Sequence, residues 1–178
     1  MKKPVLFMTQ AAVIAAAYAV LTFLSAQFAF GPVQLRLAEA LTVLPAITPA
    51  AIPGLFVGCL IANLVNPMNL GPVDILCGSL STLLAAWLTY VLQKRLRPKS
   101  KEKRHNRLSL ILVLSPAVVV NALVVGFYLP FLIPGMTVSI GTIALTMLSL
   151  FLSQSLVVYL IGLPLLLALE KIHLPSLG

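Results

Sequence analysis

A chain of 178 residues that is 60% hydrophobic and only 9% charged carries more apolar surface than a water-soluble domain of its size can bury. The formal net charge of +8 is no signal for nucleic acid. Eight of the twelve Lys and Arg residues form one run, 94–107, the pattern that the positive-inside rule produces in a cytoplasmic loop.

The composition points to a polytopic membrane protein without a separate soluble domain. Lipid leaves only helices or a closed barrel, and the apolar runs here are continuous rather than alternating, so an all-α membrane protein is expected. Cys59 and Cys77 lie in apolar segments and read as small buried hydrophobes. Nothing near them has metal-ligand spacing, and no metal or cofactor is expected.

The first apolar run, about Val5 to Ala26, is long enough to span and too long for a signal-peptide core. Ala11, Ala15 and Ala19 put small residues on one face of this helix, widened by Ala12 and Ala16. Such a stripe suits close helix packing, either inside the chain or against a partner membrane protein. A loop with Gly31-Pro32 leads to the stretch Gln34–Ile47, a short second helix in which Arg36 and Glu39 share a face three residues apart. Pro49 and Pro53 bracket the turn into a third helix, Ala51–Val65. A turn-rich loop, 66–72, precedes a fourth, Val73–Leu92, with Trp87 and Tyr90 placed for an interfacial belt. The fifth covers about Leu108–Phe127 and is followed by a loop, Tyr128–Thr137. The sixth takes the long run Val138–Leu169, with a kink expected at Gly162 and Pro164.

Parity supports six transmembrane helices with both termini cytoplasmic. Lys2-Lys3, the basic run and Lys171 all belong inside, which requires an even number of crossings between each pair. The first interval is even only if the short Gln34–Ile47 segment counts as a crossing. The three remaining loops then face outside, and none of them carries charge.

With that topology Gln34, Arg36, Glu39, Asn63, Asp74 and Asn121 all fall towards the outer side, with Gln154 nearer the middle. Shared depth suggests a pocket open to the outside with both donors and acceptors. Each residue also has a plainer role available. Arg36 and Glu39 can neutralise each other, Asp74 can sit on a helix N-terminus, and the amides can bond between helices. Catalysis finds no constellation: His105 and His173 lie in cytoplasmic segments, and no phosphate-binding loop is present. An ATP-driven process would need another subunit.

The run Gln34-Leu35-Arg36-Leu37-Ala38-Glu39-Ala40-Leu41-Thr42-Val43-Leu44-Pro45, followed by Pro49 to Asn63, resembles the QueT family of substrate-binding S components of energy-coupling factor (ECF) transporters. Asp74-Ile75 with Gly78-Ser79-Leu80, Val120 to Gly126, and Val158-Tyr159 with Gly162 to Leu165 are also similar to that family. The resemblance implies a six-helix S component in the cell membrane. Such a protein captures a queuosine precursor (a 7-deazaguanine such as preQ1 or queuine) outside, and associates with a transmembrane coupling subunit and two cytosolic ATPases. It further implies that Ala11, Ala15 and Ala19 face the coupling subunit. Where the family often carries a Gly-Glu pair in the sixth helix, this chain has Ser153-Gln154.

A guanine-like edge offers adjacent N–H donors to a carboxylate and a carbonyl that wants a donor. Glu39 or Asp74 suits the first; Arg36, Asn121 or Gln154 the second; Phe30 or Tyr128 can stack on the ring. The alternatives are a self-sufficient secondary transporter using Glu39 or Asp74 as proton carrier, or an S component for another vitamin-like ligand.

Overall fold

A computed structural model describes residues 3–25, 35–66, 70–96 and 107–171. Six helices follow one another: α1 (Lys3–Leu24), α2 (Leu37–Ala46), α3 (Ala51–Val65), α4 (Pro72–Leu96), α5 (Arg107–Leu132) and α6 (Ile140–Lys171). No strand occurs among the described residues. Four helices, α1, α4, α5 and α6, are long and apolar enough to cross a membrane, while α2 and α3 are shorter apolar helices.

Contacts between the helices give their directions. Ala11 meets Gly54 and Ala15 meets Gly58, so α1 and α3 run parallel. Tyr18 bonds Glu39 while Thr48, just past α2, bonds Gln10, so α2 returns antiparallel to α1. Cys59 pairs with Thr82 and Asn63 with Gly78, which sets α4 against α3. Asp74 with Tyr128 and Ser81 with Asn121 set α5 against α4. Gly126 on Met147 and Tyr159 on the Ile111 carbonyl complete the alternation with α6. The six helices therefore alternate in direction, α2 included.

The second helix is wound as a 3₁₀ helix. Three residues per turn carry its ten residues about 20 Å, where α geometry reaches roughly 15 Å. Residues three apart eclipse, which divides α2 into stripes. Ala38, Leu41 and Leu44 pack with Tyr18 and Leu55 of α1 and α3. Ala40 and Val43 press on Gly162, where an added Cβ would come within 2.7 Å of Val43 Cγ1. Glu39 and Thr42 form the third stripe, both buried. The short helix touches all five others and is the axis of the bundle.

The irregularity expected near Gly162 and Pro164 takes the form of a wide π turn over Leu156–Gly162, in which the Leu163 amide reaches back to the Val158 carbonyl. Proline at 164 offers no N–H, and in α geometry its ring collides with the carbonyl four residues back. The wider turn relieves that collision and sets Gly162 against α2.

Two expectations need correction. The fifth helix does not stop at Phe127; it continues through Pro130 to Leu132, so Tyr128 is helical and not in a loop. Proline near a helix end sacrifices a single bond, and membrane helices tolerate it. At Pro116, deeper in the same helix, Ser115 Oγ donates to the Leu112 carbonyl at 2.8 Å and replaces the missing amide. The fourth helix runs on to Leu96, its last turn carrying Lys94 and Arg95 where the helix dipole favours cations. Lys94 Nζ also lies 4.5 Å from the centre of the Tyr90 ring.

The surface of the long helices is apolar and the interior is partly polar. Val13, Val20, Leu80, Leu123, Phe127, Leu145 and Leu160 point outwards, whereas Arg36, Glu39, Asp74, Asn63, Asn121 and Gln154 are buried. In water that distribution is inverted; in lipid it is the expected one.

Candidate functional site

Most buried polar side chains gather towards the end of the bundle that carries the α1–α2, α3–α4 and α5–α6 connections, with Thr89 and Gln93 of α4 buried nearer the other end. Lys94, Arg95, Arg107 and Lys171 mark the opposite end. Glu39 sits near the start of α2 and is 1% exposed. Tyr18 Oη donates to its Oε1 at 2.6 Å, and Asn121 Nδ2 to its Oε2 at 3.3 Å. Ser81 Oγ in turn bonds Asn121 Oδ1 at 3.0 Å, which fixes the amide with its nitrogen towards the carboxylate. One carboxylate thus ties α1, α2, α5 and α4 together. Bonds to an ionised group are worth roughly 1.5–3 kcal/mol each, and a buried carboxylate deprived of them is costly.

A second group lies one to two turns nearer the connections. Tyr128 Oη donates to Asp74 Oδ1 at 2.8 Å, and Asp74 is itself 1% exposed. Gly78 lies between Tyr128 and Asn63: a Cβ there would stand 3.3 Å from Tyr128 Oη and 3.2 Å from Asn63 Nδ2. Asn63 Nδ2 also donates to Cys59 Sγ at 3.6 Å, and Thr82 Oγ1 approaches the same sulfur at 3.5 Å. Arg36, just before α2 in extended backbone, lies close enough to Tyr18, Cys59, Glu39 and Asp74 to act on all four electrostatically. Gln154 of α6 is 3% exposed, one turn beyond Leu150, which packs with Ala122, Val125 and Tyr128.

Of the residues expected from sequence, Arg36, Glu39, Asn63, Asp74, Asn121 and Gln154 are buried, and Tyr128 is half-buried beside Asp74. Gln34 and Phe30 lie outside the described residues. The mutual pairing of Arg36 and Glu39 that the sequence left open is only part of the account, because neutral donors hold both Glu39 oxygens. Ala11 and Ala15 face α3 within the chain, with the Ala15 carbonyl 2.8 Å from a Cβ placed on Gly58. Ala19 is half-buried, and the exposed small residues of α1 are Ala12 and Ala16.

Sequence reasoning missed Tyr18, Gly78, Ser81 and Thr82, and took Cys59 for a plain hydrophobe. A signal for Tyr18 was present. It lies three residues after Ala15 and four before Thr22, on the face that packs inwards.

Helices with lipid-facing apolar sides and an interior polar cluster fed from all six helices define a multi-pass membrane protein built around an internal site. That is the architecture of a protein that handles a solute. The QueT transporter family matches residues 8–171, and the chain belongs to that family, as the resemblance beginning at Gln34 had indicated. Comparisons with curated proteins and with solved structures give no match.

Proposed function

We propose that this transporter-family protein is the substrate-capturing S component of an ECF importer. It takes a 7-deazaguanine queuosine precursor from outside and delivers it inward with a transmembrane coupling subunit and two cytosolic ATPases. All six helices cross the membrane in this reading, α2 included, and both termini are cytoplasmic. The observation that carries it is the convergence of Glu39, Asn63, Asp74 and Asn121 at the end of the bundle away from the basic residues. By the positive-inside rule that end faces outwards.

Asp74 presents its carboxylate to the adjacent N–H donors of a guanine-like edge, with Tyr128 orienting it rather than stacking on the ring. Arg36, Asn121 and Gln154 serve the base carbonyl. Glu39, clamped by Tyr18 and Asn121, keeps two further lone-pair positions for the ligand. The coupling subunit docks on the exposed flank of α1 at Ala12 and Ala16, since Ala11 and Ala15 are occupied by α3.

Calorimetry of preQ1 and queuine binding tests the site. Glu39→Gln and Arg36→Ala each weaken binding at least tenfold; unchanged affinity in both overturns the assignment. Uptake by this chain alone in proteoliposomes, driven by a pH gradient, would replace the S-component reading with a secondary carrier.

A further inference from the structure

We propose that α2 is a winding switch: as a 3₁₀ helix it holds Glu39 in the site, and rewound as an α-helix it withdraws that carboxylate. This goes beyond the substrate-binding reading above and does not depend on which base binds. The first ground is a disagreement between sequence and winding. Leu37-Ala38-Glu39-Ala40-Leu41 consists entirely of strong α-helix formers, yet it opens a ten-residue 3₁₀ helix. Runs beyond about three or four residues are uncommon, because the hydrogen bonds are poorer and the side chains eclipse. Local preference therefore favours α, and contacts with neighbouring helices hold the tighter form.

Both windings already meet at one carbonyl. The Ile47 amide donates to the Leu44 carbonyl at 2.9 Å, and the Thr48 amide donates to the same oxygen at 3.0 Å. The first bond is the 3₁₀ pattern and the second is the α pattern. The contact that holds the rest is with α6. A Cβ on Gly162 would stand 2.7 Å from Val43 Cγ1 and 3.0 Å from the Ala40 carbonyl oxygen. On its own side of that contact α6 is loosened into the π turn Leu156–Gly162. An over-wound segment thus rests on an under-wound one.

Rewinding has a definite consequence for the site. A 3₁₀ helix turns about 120° and rises about 2.0 Å per residue, against about 100° and 1.5 Å for an α-helix. With Val43 fixed, rewinding back to Glu39 turns that residue by about 80° and draws it about 2 Å along the axis. Neither the 2.6 Å bond from Tyr18 nor the 3.3 Å bond from Asn121 survives such a turn. A ligand held by Glu39 selects the 3₁₀ winding, and the α winding lets it go.

The test is the distance between spin labels on the full chain in lipid nanodiscs, in a Cys77→Ser background with buried Cys59 left in place. One pair, Leu37→Cys with Leu80→Cys, joins two exposed positions and reports the start of α2. A second pair, Ile47→Cys with Leu80→Cys, reports its anchored end. Val43→Ala removes the side chain resting on Gly162 without adding bulk. It should add a second Leu37–Leu80 distance, leave the Ile47–Leu80 distance unmoved, and weaken binding of 7-aminomethyl-7-deazaguanine at least tenfold. Saturating base should restore the original distance. Gly162→Ala is read in the same way if Val43→Ala does not fold. A single unchanged Leu37–Leu80 distance overturns the switch, and so does a shift shared by both pairs, which is displacement without rewinding. A second distance that bound base does not reverse overturns it too. If neither this base nor queuine binds the unsubstituted chain, the substrate reading falls, while the two distances still decide the switch.

Discussion

The two ends of this bundle are packed by opposite rules. At the basic end, Val43, Val113, Leu114, Val118, Val158 and Leu166 form an apolar core joining α2, α5 and α6. At the other end the same helices surround Glu39, Asn121 and Gln154, with Tyr18, Asn63 and Asp74 added from α1, α3 and α4. In lipid the apolar core gains little from leaving a hydrocarbon environment, so its stabilisation is mainly close packing. The polar end gains from hydrogen bonds that no lipid can replace, and it pays in desolvation. One end therefore sets the bundle's geometry and the other is left with unmet bonding capacity, which is what a binding site requires.

Substitutions at the two ends should separate stability from binding. The largest effect is expected from Glu39→Ala, which strips the shared acceptor from Tyr18 and Asn121. Ligand affinity should fall at least a hundredfold, about 3 kcal/mol, for one lost set of charge-assisted bonds, as read by calorimetry. Leu114→Ala, at the opposite end, should cost about 2 kcal/mol of stability, at the low end of buried Leu truncations because the lipid reference is already apolar. Denaturant titration should show that loss while ligand affinity stays within threefold; a large change in affinity would erase the contrast between the ends. Gly58→Ala lies on the α1–α3 contact, where a Cβ meets the Ala15 carbonyl and Tyr18 Cβ, each at 2.8 Å. Overpacking of roughly 1–2 kcal/mol is expected, with a few-fold loss of binding through displaced Tyr18. Tyr18→Phe removes one hydroxyl from Glu39 and should cost about tenfold in affinity together with a lowered melting midpoint, since the buried carboxylate loses a donor. The smallest effect is chemical: half-buried Cys77 should react with a membrane-permeant maleimide faster than buried Cys59, and bound ligand should slow only Cys59.

The polar cluster was largely legible in the sequence because charge is costly in lipid. Arg36, Glu39 and Asp74 are the sole charges in long apolar stretches, and counting crossings brought them to one depth with Asn63 and Asn121. Tyr18 was hidden by its neighbours: among so many alanines, α1 reads as a docking face before it reads as a site. The same alanines suit packing within the chain and docking alike, since spacing defines a stripe without saying which neighbour covers it. Tyr128 was lost to a loop because Pro130 looks like a terminator, and only the structure shows the helix continuing past it.

Sequence by itself determined the membrane setting, the number of helices, the family and the identity of most buried polar groups. All of these follow from transfer costs and charge placement, which are properties of single residues and short segments. Tertiary structure alone decided how α2 is wound and what Glu39 touches. A 3₁₀ helix running against a π turn depends on Gly162 meeting Ala40 and Val43 from over a hundred residues away. The donors on Glu39 come from α1 and α5 for the same reason: close contact between distant segments is settled by packing, and no local pattern encodes it.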